Sequence, residues 1–581
     1  MLCTGARILV ESLIEQGVDT VFGYPGAAVL NIYDELYKHR NKIRHILVSH
    51  EQHAAHAADG YARSTGRPGV CIATSGPGAT NLITGIATAY MDSVPLVAIT
   101  GNVSTALLGK DSFQEVDTTG ISMPIVKHNW IVKDVKELAE VVCEAFSLAA
   151  SGRPGPVLID IPKDITALSA EWQPVKGSTS KQKKTSYGDG ISDRARRLTE
   201  RITRPAFTDG DIERAATLLG EARRPLLYAG GGVITAGATE ELKSLAELLN
   251  APVALSLMGI GAFPREHRLC TGLIGMHGTV ASNKAAQHAD LLLAVGARFS
   301  DRVISKADLF AKTARIIHFD IDPAEINKNI KTHAWVVGNV KETLRRLLKK
   351  LPARMETEWN GKIDNWKGHV PQTCPRGKAL TKDALHPRFI IEETSKKLGP
   401  ETIAVTYVGQ HQIWAAQFFP AGQPRSFLSP GGLGTMGFGL GAATGAKIAN
   451  PRRPVVLFTG DGCFRMNCAE MATLSTYKIP VLIVVFQNGV LGMVRHWQSF
   501  FYEDRHWQTD LGPYPDFVKL GEAYGLSGFR AKDRESFMRA LGAATGELAA
   551  GRPALIEASI DREENVFPMV PSGKPIDEQI F

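Results

Sequence analysis

The stretch Val455-Val456-Leu457-Phe458-Thr459-Gly460-Asp461-Gly462 decides how this chain is read. Val455 to Thr459 has no polar face, the pattern of a parallel strand covered by helices on both sides. An Asp between two glycines follows at its carboxyl end, where open α/β sheets bind ligands. The glycines let the backbone approach an anion, and the next helix aims its first N–H groups there. A second apolar run, Val481 to Phe486, leads to Gln487-Asn488-Gly489. Asn488 comes 27 positions after Asp461. That interval fits one helix and one strand, so both side chains return to the same sheet edge.

The same alternation runs outward through the chain. Strand-like runs recur at Val70 to Thr74, Leu96 to Thr100, Val157 to Ile161, Leu291 to Val295 and Ile316 to Ile321. Amphipathic helical stretches separate them, which predicts an α/β fold of three doubly wound parallel-sheet domains. Two stretches break the pattern. One, from Ala167 to Pro205, is rich in Lys, Arg and Ser and contains the basic run Lys176 to Lys184; the other, from Pro352 to Pro387, mixes Trp, Pro and Lys. The predicted division is an N-terminal domain over 1–165, a basic linker over 166–205 and a central domain over 206–345. A linker over 346–384, a C-terminal domain over 385–550 and a tail over 551–581 complete it.

Composition narrows the class. With 44% apolar and 22% charged residues the chain is an ordinary soluble globular protein. A net charge of +7 over 581 residues does not call for nucleic acid. No apolar run is long enough to span a bilayer. Seven cysteines without a CxxC pair argue against a disulfide framework or a zinc site and for a reducing cytoplasm.

Asp461, the amide oxygen of Asn488 and a nearby carbonyl are hard oxygen ligands that suit Mg²⁺ bridging a diphosphate. GDG followed at this spacing by Gln-Asn resembles the signature of thiamine-diphosphate enzymes, which usually ends in Asn-Asn. The resemblance implies Val490 as the carbonyl ligand. Thiamine chemistry also requires a Glu that shares a proton with the cofactor's pyrimidine ring. The candidate is Glu51 in Ser49-His50-Glu51-Gln52-His53-Ala54-Ala55. Another reading takes His50, His53 and His56, three apart, as metal ligands.

Further segments extend the resemblance: GYPGAAVLNIYDEL, SHEQHAAHAADGYAR, TSGPGATNLITGIATAYMDSVPLVAITG, DSFQEVD, SGRPGPVLIDIPKD, GMHGT, VGQHQIWAAQF, GGLGTMGFG, GDGCFRMNCAEMATL and LGMVRHWQ. In this order they resemble the acetolactate synthase (acetohydroxyacid synthase) large subunits. That resemblance implies decarboxylation of pyruvate followed by carbon–carbon bond formation with pyruvate or 2-ketobutyrate. It gives Glu51 the cofactor-activating role and places Ala27 and Ala28 over the reacting carbon. Phe113 and Gln114 would reach the substrate from a partner subunit, and Lys163 would line the entrance. Val408, Gly409, Gln410, His411, Gly434 and Met436 would hold thiamine diphosphate, with Met436 bending it. Asp461, Gly462, Cys463, Asn488, Val490, Gly492 and Met493 would hold its diphosphate end and the metal. Met493, Val494 and Trp497 would set acceptor specificity. Tyr407 and Cys463 stand where Asp and Ser are usual, which predicts weaker cofactor binding.

The middle block resembles a FAD-binding domain. Gly230, Gly231 and Gly232 follow one strand; Gly296, Ala297, Arg298, Phe299 and Ser300 follow another; Asp320 and Ile321 end a third. Gly275, Met276 and His277 in GMHG, and Arg153, are further flavin-side positions the resemblance implies. It also implies a homodimer or homotetramer with sites between subunits, and allows a small regulatory subunit. The alternatives are another thiamine-diphosphate 2-keto-acid enzyme, such as pyruvate oxidase or sulfoacetaldehyde acetyltransferase, and a nucleotide-dependent oxidoreductase built on the same glycine turns.

Overall fold

The computed structural model describes residues 1–173, 207–353, 358–368, 384–512 and 515–581. The basic run Lys176 to Lys184 lies outside the described residues. Three six-stranded parallel sheets carry the architecture. In the first, the spatial order is Arg44–Leu47, Thr20–Gly23, Gly69–Ala73, Leu96–Asn102, Pro156–Pro162, His128–Ile131. In the third it is Phe427–Leu428, Ile403–Thr406, Val455–Gly460, Leu482–Gln487, Ala554–Ser559, Ser527–Ala531. Numbered within each sheet, both orders are 2-1-3-4-6-5, so the first and third domains share one topology. The central sheet runs Cys270–Leu273, Val253–Leu255, Pro225–Ala229, Leu291–Val295, Arg315–Asp320, Ala334–Val337, which is 3-2-1-4-5-6. That is the dinucleotide-binding order, whose crevice opens where the order reverses.

Each sheet is buried on both faces, as its apolar runs require. Val70, Val97 and Val157 pack on one side of the first sheet, and Cys71, Ala98 and Leu158 on the other. The six described cysteines are free. No helix among the described residues is long and apolar enough to cross a membrane.

Three segments extend the domains beyond the lengths read from sequence. Leu2–Thr4 pairs antiparallel with Ser169–Glu171, inside the stretch read as linker. The helix Glu358–Lys367 seats Trp359 and Ile363 in the central core, although its Trp and Lys content shows no clean amphipathic period. The strand Ala554–Ser559 sits between Leu482–Gln487 and Ser527–Ala531, so the third sheet reaches past residue 550. Beyond it the chain crosses to the central domain: the Val570 N–H donates to the Met276 carbonyl at 2.8 Å, and Ile576 is buried in the central core.

The first and third domains meet along two helices, Glu51–Thr65 and Gly439–Ala449. Small residues let the backbones touch. A Cβ on Gly445 would lie 1.8 Å from the Ala57 carbonyl oxygen, and one on Gly60 2.1 Å from that of Ala442. Gly445→Ala is therefore expected to destabilise the folded protein by about 1–3 kcal/mol through overpacking. A denaturant midpoint equal to wild type would contradict this contact. Polar ties flank the helices: His53 Nδ1 lies 2.9 Å from Glu470, which also accepts from the Ser49 N–H at 3.0 Å.

Candidate active site

In the third sheet the order reverses between Ile403–Thr406 and Val455–Gly460, and the loops after both strands meet there. Asp461 is buried at the start of a short helix. Its Oδ1 accepts from the Gly462 N–H at 2.8 Å, and its Oδ2 from the N–H groups of Asn488 and Gly489 at 3.1 and 2.7 Å. Burial pushes its carboxyl up to about 6, against those donors. The Asn488 amide nitrogen leans 3.4 Å towards Gln410 Oε1, and its Oδ1 accepts from the Val490 N–H at 3.2 Å. A Cβ on Gly492 would sit 1.9 Å from Gln410 Oε1, so any larger residue there must push the Gln410 amide aside.

His411 is buried beside this pair, and its Nε2 has no protein partner among the described residues. Burial pushes its imidazole down to about 3, leaving it neutral. Gly409 (φ +145°) and Gly460 face its ring; a Cβ on either would lie 3.1–3.2 Å from it. No group of three or more His, Cys, Asp or Glu able to hold a metal occurs among the described residues, so His50, His53 and His56 do not form a metal site. Asp461, Asn488 and the Val490 carbonyl remain, a partial set of hard oxygens of the kind a cation completes with diphosphate oxygens.

Two departures from the expected pattern point inward. The Cys463 thiol donates to the Val408 carbonyl at 2.9 Å. Tyr407 is fully buried, with its ring against Gly439 and its hydroxyl on Asn467.

Val408, Gly409, Gly434, Met493 and Trp497 line one part of a cavity of about 1250 Å³. The central domain contributes Gly230 to Gly232, Met276, His277, Gly296 to Arg298, Ser300, Asp320 and Ile321, and the first domain adds Met91 to Pro95 and Ser151 to Pro154. This is the central sheet's crevice. A Cβ on Gly230 would meet the Gly296 carbonyl oxygen at 2.2 Å, so the two strand-end turns pack directly on each other. Gly275, at φ +112°, turns the chain beside Arg302 and directs Met276 and His277 to the wall. Phe299 differs from expectation. It is buried among Tyr228, Phe310 and His318, while Gly296, Ala297 and Arg298 line the cavity. Arg153 lines the cavity while bonded to Asp322 and Glu325 at 3.0 and 2.8 Å, tying the first domain to the central one.

The first domain assembles a second half-site at its own point of reversal, between Thr20–Gly23 and Gly69–Ala73. Glu51 opens its helix half-buried and accepts from Asn81 Nδ2 at 2.9 Å. Gly78 packs against Glu51 Oε1, and Gly26 against Thr74, whose buried Oγ1 has no partner among the described residues. Ala27 and Ala28 follow Gly26, with Ala28 buried. Gln114 holds φ +59° and its backbone backs Gly76. Phe113 is 88% exposed, and Lys163 and Val494 also face outward. Sequence reading misses Thr74 and Asn81, although both lie in TSGPGATN, the turn and helix start after a strand, which is the available signal. Among the described residues no hydrogen bond or ion pair joins Glu51 or Gln114 to the Asp461 cluster.

Comparison with known proteins matches three family models along the chain. The family "Thiamine pyrophosphate enzyme, N-terminal TPP binding domain" matches residues 3–121, its central domain 212–347 and its C-terminal TPP binding domain 407–558. An acetolactate synthase large subunit of Parasynechococcus marenigrum is 46% identical, covering 98% of this chain and 90% of its own length. One of Corynebacterium glutamicum is 47% identical over 98% and 89%. A probable one of Methanocaldococcus jannaschii is 45% identical over 98% and 94%. With matching domains in order and such identity over nearly its whole length, the chain belongs to the acetolactate synthase large-subunit family of thiamine-diphosphate enzymes.

Proposed function

We propose that this chain condenses two pyruvates to 2-acetolactate with release of CO₂, or pyruvate with 2-ketobutyrate to 2-aceto-2-hydroxybutyrate, on the way to valine, leucine and isoleucine. The observation that carries the reading is the buried Asp461 carboxylate bonded to the Asn488 N–H, near the buried, neutral His411, whose Nε2 has no partner among the described residues. Bound thiamine diphosphate supplies the nucleophilic carbon and the electron sink. Asp461, Asn488 and the Val490 carbonyl would hold Mg²⁺, with Gly462, Cys463, Gln410 and His411 around the diphosphate. Gly434 and Met436 would seat the rings. Glu51, oriented by Asn81, holds and returns a proton at the pyrimidine nitrogen. Met493, Val494 and Trp497 would select the acceptor opposite Ala27 and Ala28, and hold it beside the reacting carbon with water excluded.

Glu51 and the Asp461 cluster belong to different domains without a bond between them in one chain. The complete site would therefore join two copies, in a homodimer or a homotetramer, with Phe113, Gln114 and Lys163 projecting across. A small regulatory subunit is a further partner, in keeping with the name "large subunit" of the relatives. FAD would lie in the central crevice without net redox change, since acetolactate formation needs none.

The test is purified protein with pyruvate, Mg²⁺, thiamine diphosphate and FAD, with products identified by NMR. The reading requires acetolactate that disappears when thiamine diphosphate is withheld. Free acetaldehyde, or flavin reduced during turnover with acetate formed, would assign the chain to decarboxylation or oxidation instead.

A further inference from the structure

The loop from Ser429 to Gly437 brings Pro430 to Gly434 to the cavity and packs Met436 on the third domain's core, yet its middle is loosely held. Leu433 is exposed, and nothing lies within 4 Å of a Cβ built on Gly434. The loop depends on its ends. At the start, the Ser429 hydroxyl accepts from Thr406 and Gln412 at 2.8 and 2.7 Å, and the Ser429 carbonyl from Arg63 at 3.0 Å. The Gly431 N–H donates to Asp92 at 3.1 Å. At the far end, Thr435 bonds Thr88 at 2.7 Å. The turn after Met436 is fixed by a relay: the Tyr407 hydroxyl donates to Asn467 Oδ1 at 2.5 Å, and Asn467 Nδ2 donates to the Gly437 carbonyl at 2.7 Å.

We propose that Tyr407, acting through Asn467, is a positioning residue that fixes the Met436–Gly437 turn against the thiamine diphosphate site. The phenol sets which way the Asn467 amide points. Oxygen faces the tyrosine, so nitrogen faces the loop. Both side chains are buried, so no water replaces the phenol when it is removed. Burial also keeps the phenol protonated and therefore a donor. Gly439 makes room for the ring: a Cβ there would sit 2.6 Å from Tyr407 Cδ2. The relay lies behind the loop, so it acts without touching the cofactor. This deepens the proposed function and rests on its assignment of Gly434 and Met436.

The experiment titrates thiamine diphosphate with Mg²⁺ into full-length wild-type, Y407F and T88V proteins by calorimetry, beside thermal midpoints without cofactor. Y407F removes one hydroxyl and is expected to raise the cofactor Kd about tenfold, because the buried Asn467 Oδ1 loses its donor and the amide is no longer held with its nitrogen towards the Gly437 carbonyl. T88V cuts the neighbouring anchor at Thr435 and should raise Kd in the same direction. An unchanged Kd in Y407F, with or without a lower midpoint, overturns the relay and leaves Tyr407 a core residue. If Y407F does not fold, T88V decides: a raised Kd supports loop positioning, and an unchanged one overturns it. A wild-type protein that binds no cofactor overturns the assignment of the site itself.

Discussion

Glu51→Gln is expected to slow acetolactate formation by about 10²–10⁴-fold, the range typical of a lost general acid–base group, while thiamine diphosphate still binds. The substitution preserves shape. Glutamine retains an oxygen that can accept from Asn81 Nδ2, and its amide fits the space beside Gly78. What disappears is the exchangeable proton of the carboxyl. Binding is expected to survive because the diphosphate end is held elsewhere, by the Asp461 cluster of the third domain. Parallel measurement of kcat and of cofactor affinity separates the two. A variant with wild-type kcat would remove Glu51 from the chemistry.

Asp461→Asn should act on the other end, lowering Mg²⁺-dependent cofactor affinity by at least about 100-fold, the upper range seen when only an outer partner of a metal site is lost. Two effects add. The cation loses its one charged protein ligand. The new amide must also turn one N–H-bearing group towards the backbone N–H donors of Gly462, or of Asn488 and Gly489, all of which now meet a carboxylate oxygen. Donor facing donor leaves buried groups unsatisfied. Calorimetric titration of thiamine diphosphate at fixed Mg²⁺ measures the loss. Affinity within a few-fold of wild type would show that the metal is held by other groups.

The sequence shows some of this architecture and hides the rest for identifiable reasons. Runs such as Val455 to Thr459 and Leu291 to Val295 announce buried parallel strands, and the glycines after them mark both crevices, because a strand end that must approach a ligand tolerates little else. The strand Ala554–Ser559 falls in the predicted tail, since a single apolar run near a chain end carries no sign of which strands it separates. The pairing of Leu2–Thr4 with Ser169–Glu171 spans most of a domain and has no local signal. Phe299 and Arg298 are adjacent in GARFS, yet Arg298 lines the cavity and Phe299 packs in the central core, because loop backbone beyond the strand has no fixed period to read. Tyr407 was read as a substitution in a ligand set; its anchoring of Asn467 depends on a contact 60 positions away. Spacing readily reveals residues that share one sheet edge, as Asp461 and Asn488 do. It does not reveal which domain stands opposite.

The backbone-close contact between the helices Glu51–Thr65 and Gly439–Ala449 also bears on how the protein reaches its native state. Its two sides are made hundreds of residues apart, so each domain can complete its own sheet before they dock. A glycine- and alanine-lined face carries little side-chain entropy to lose and few distinctive knobs to read. A helix from another copy would fit the same groove as well as the chain's own. Covalent connection settles the competition, because the tether keeps the correct helix at a high local concentration. At high protein concentration that advantage shrinks, and exchange of first domains between copies becomes the characteristic error of assembly.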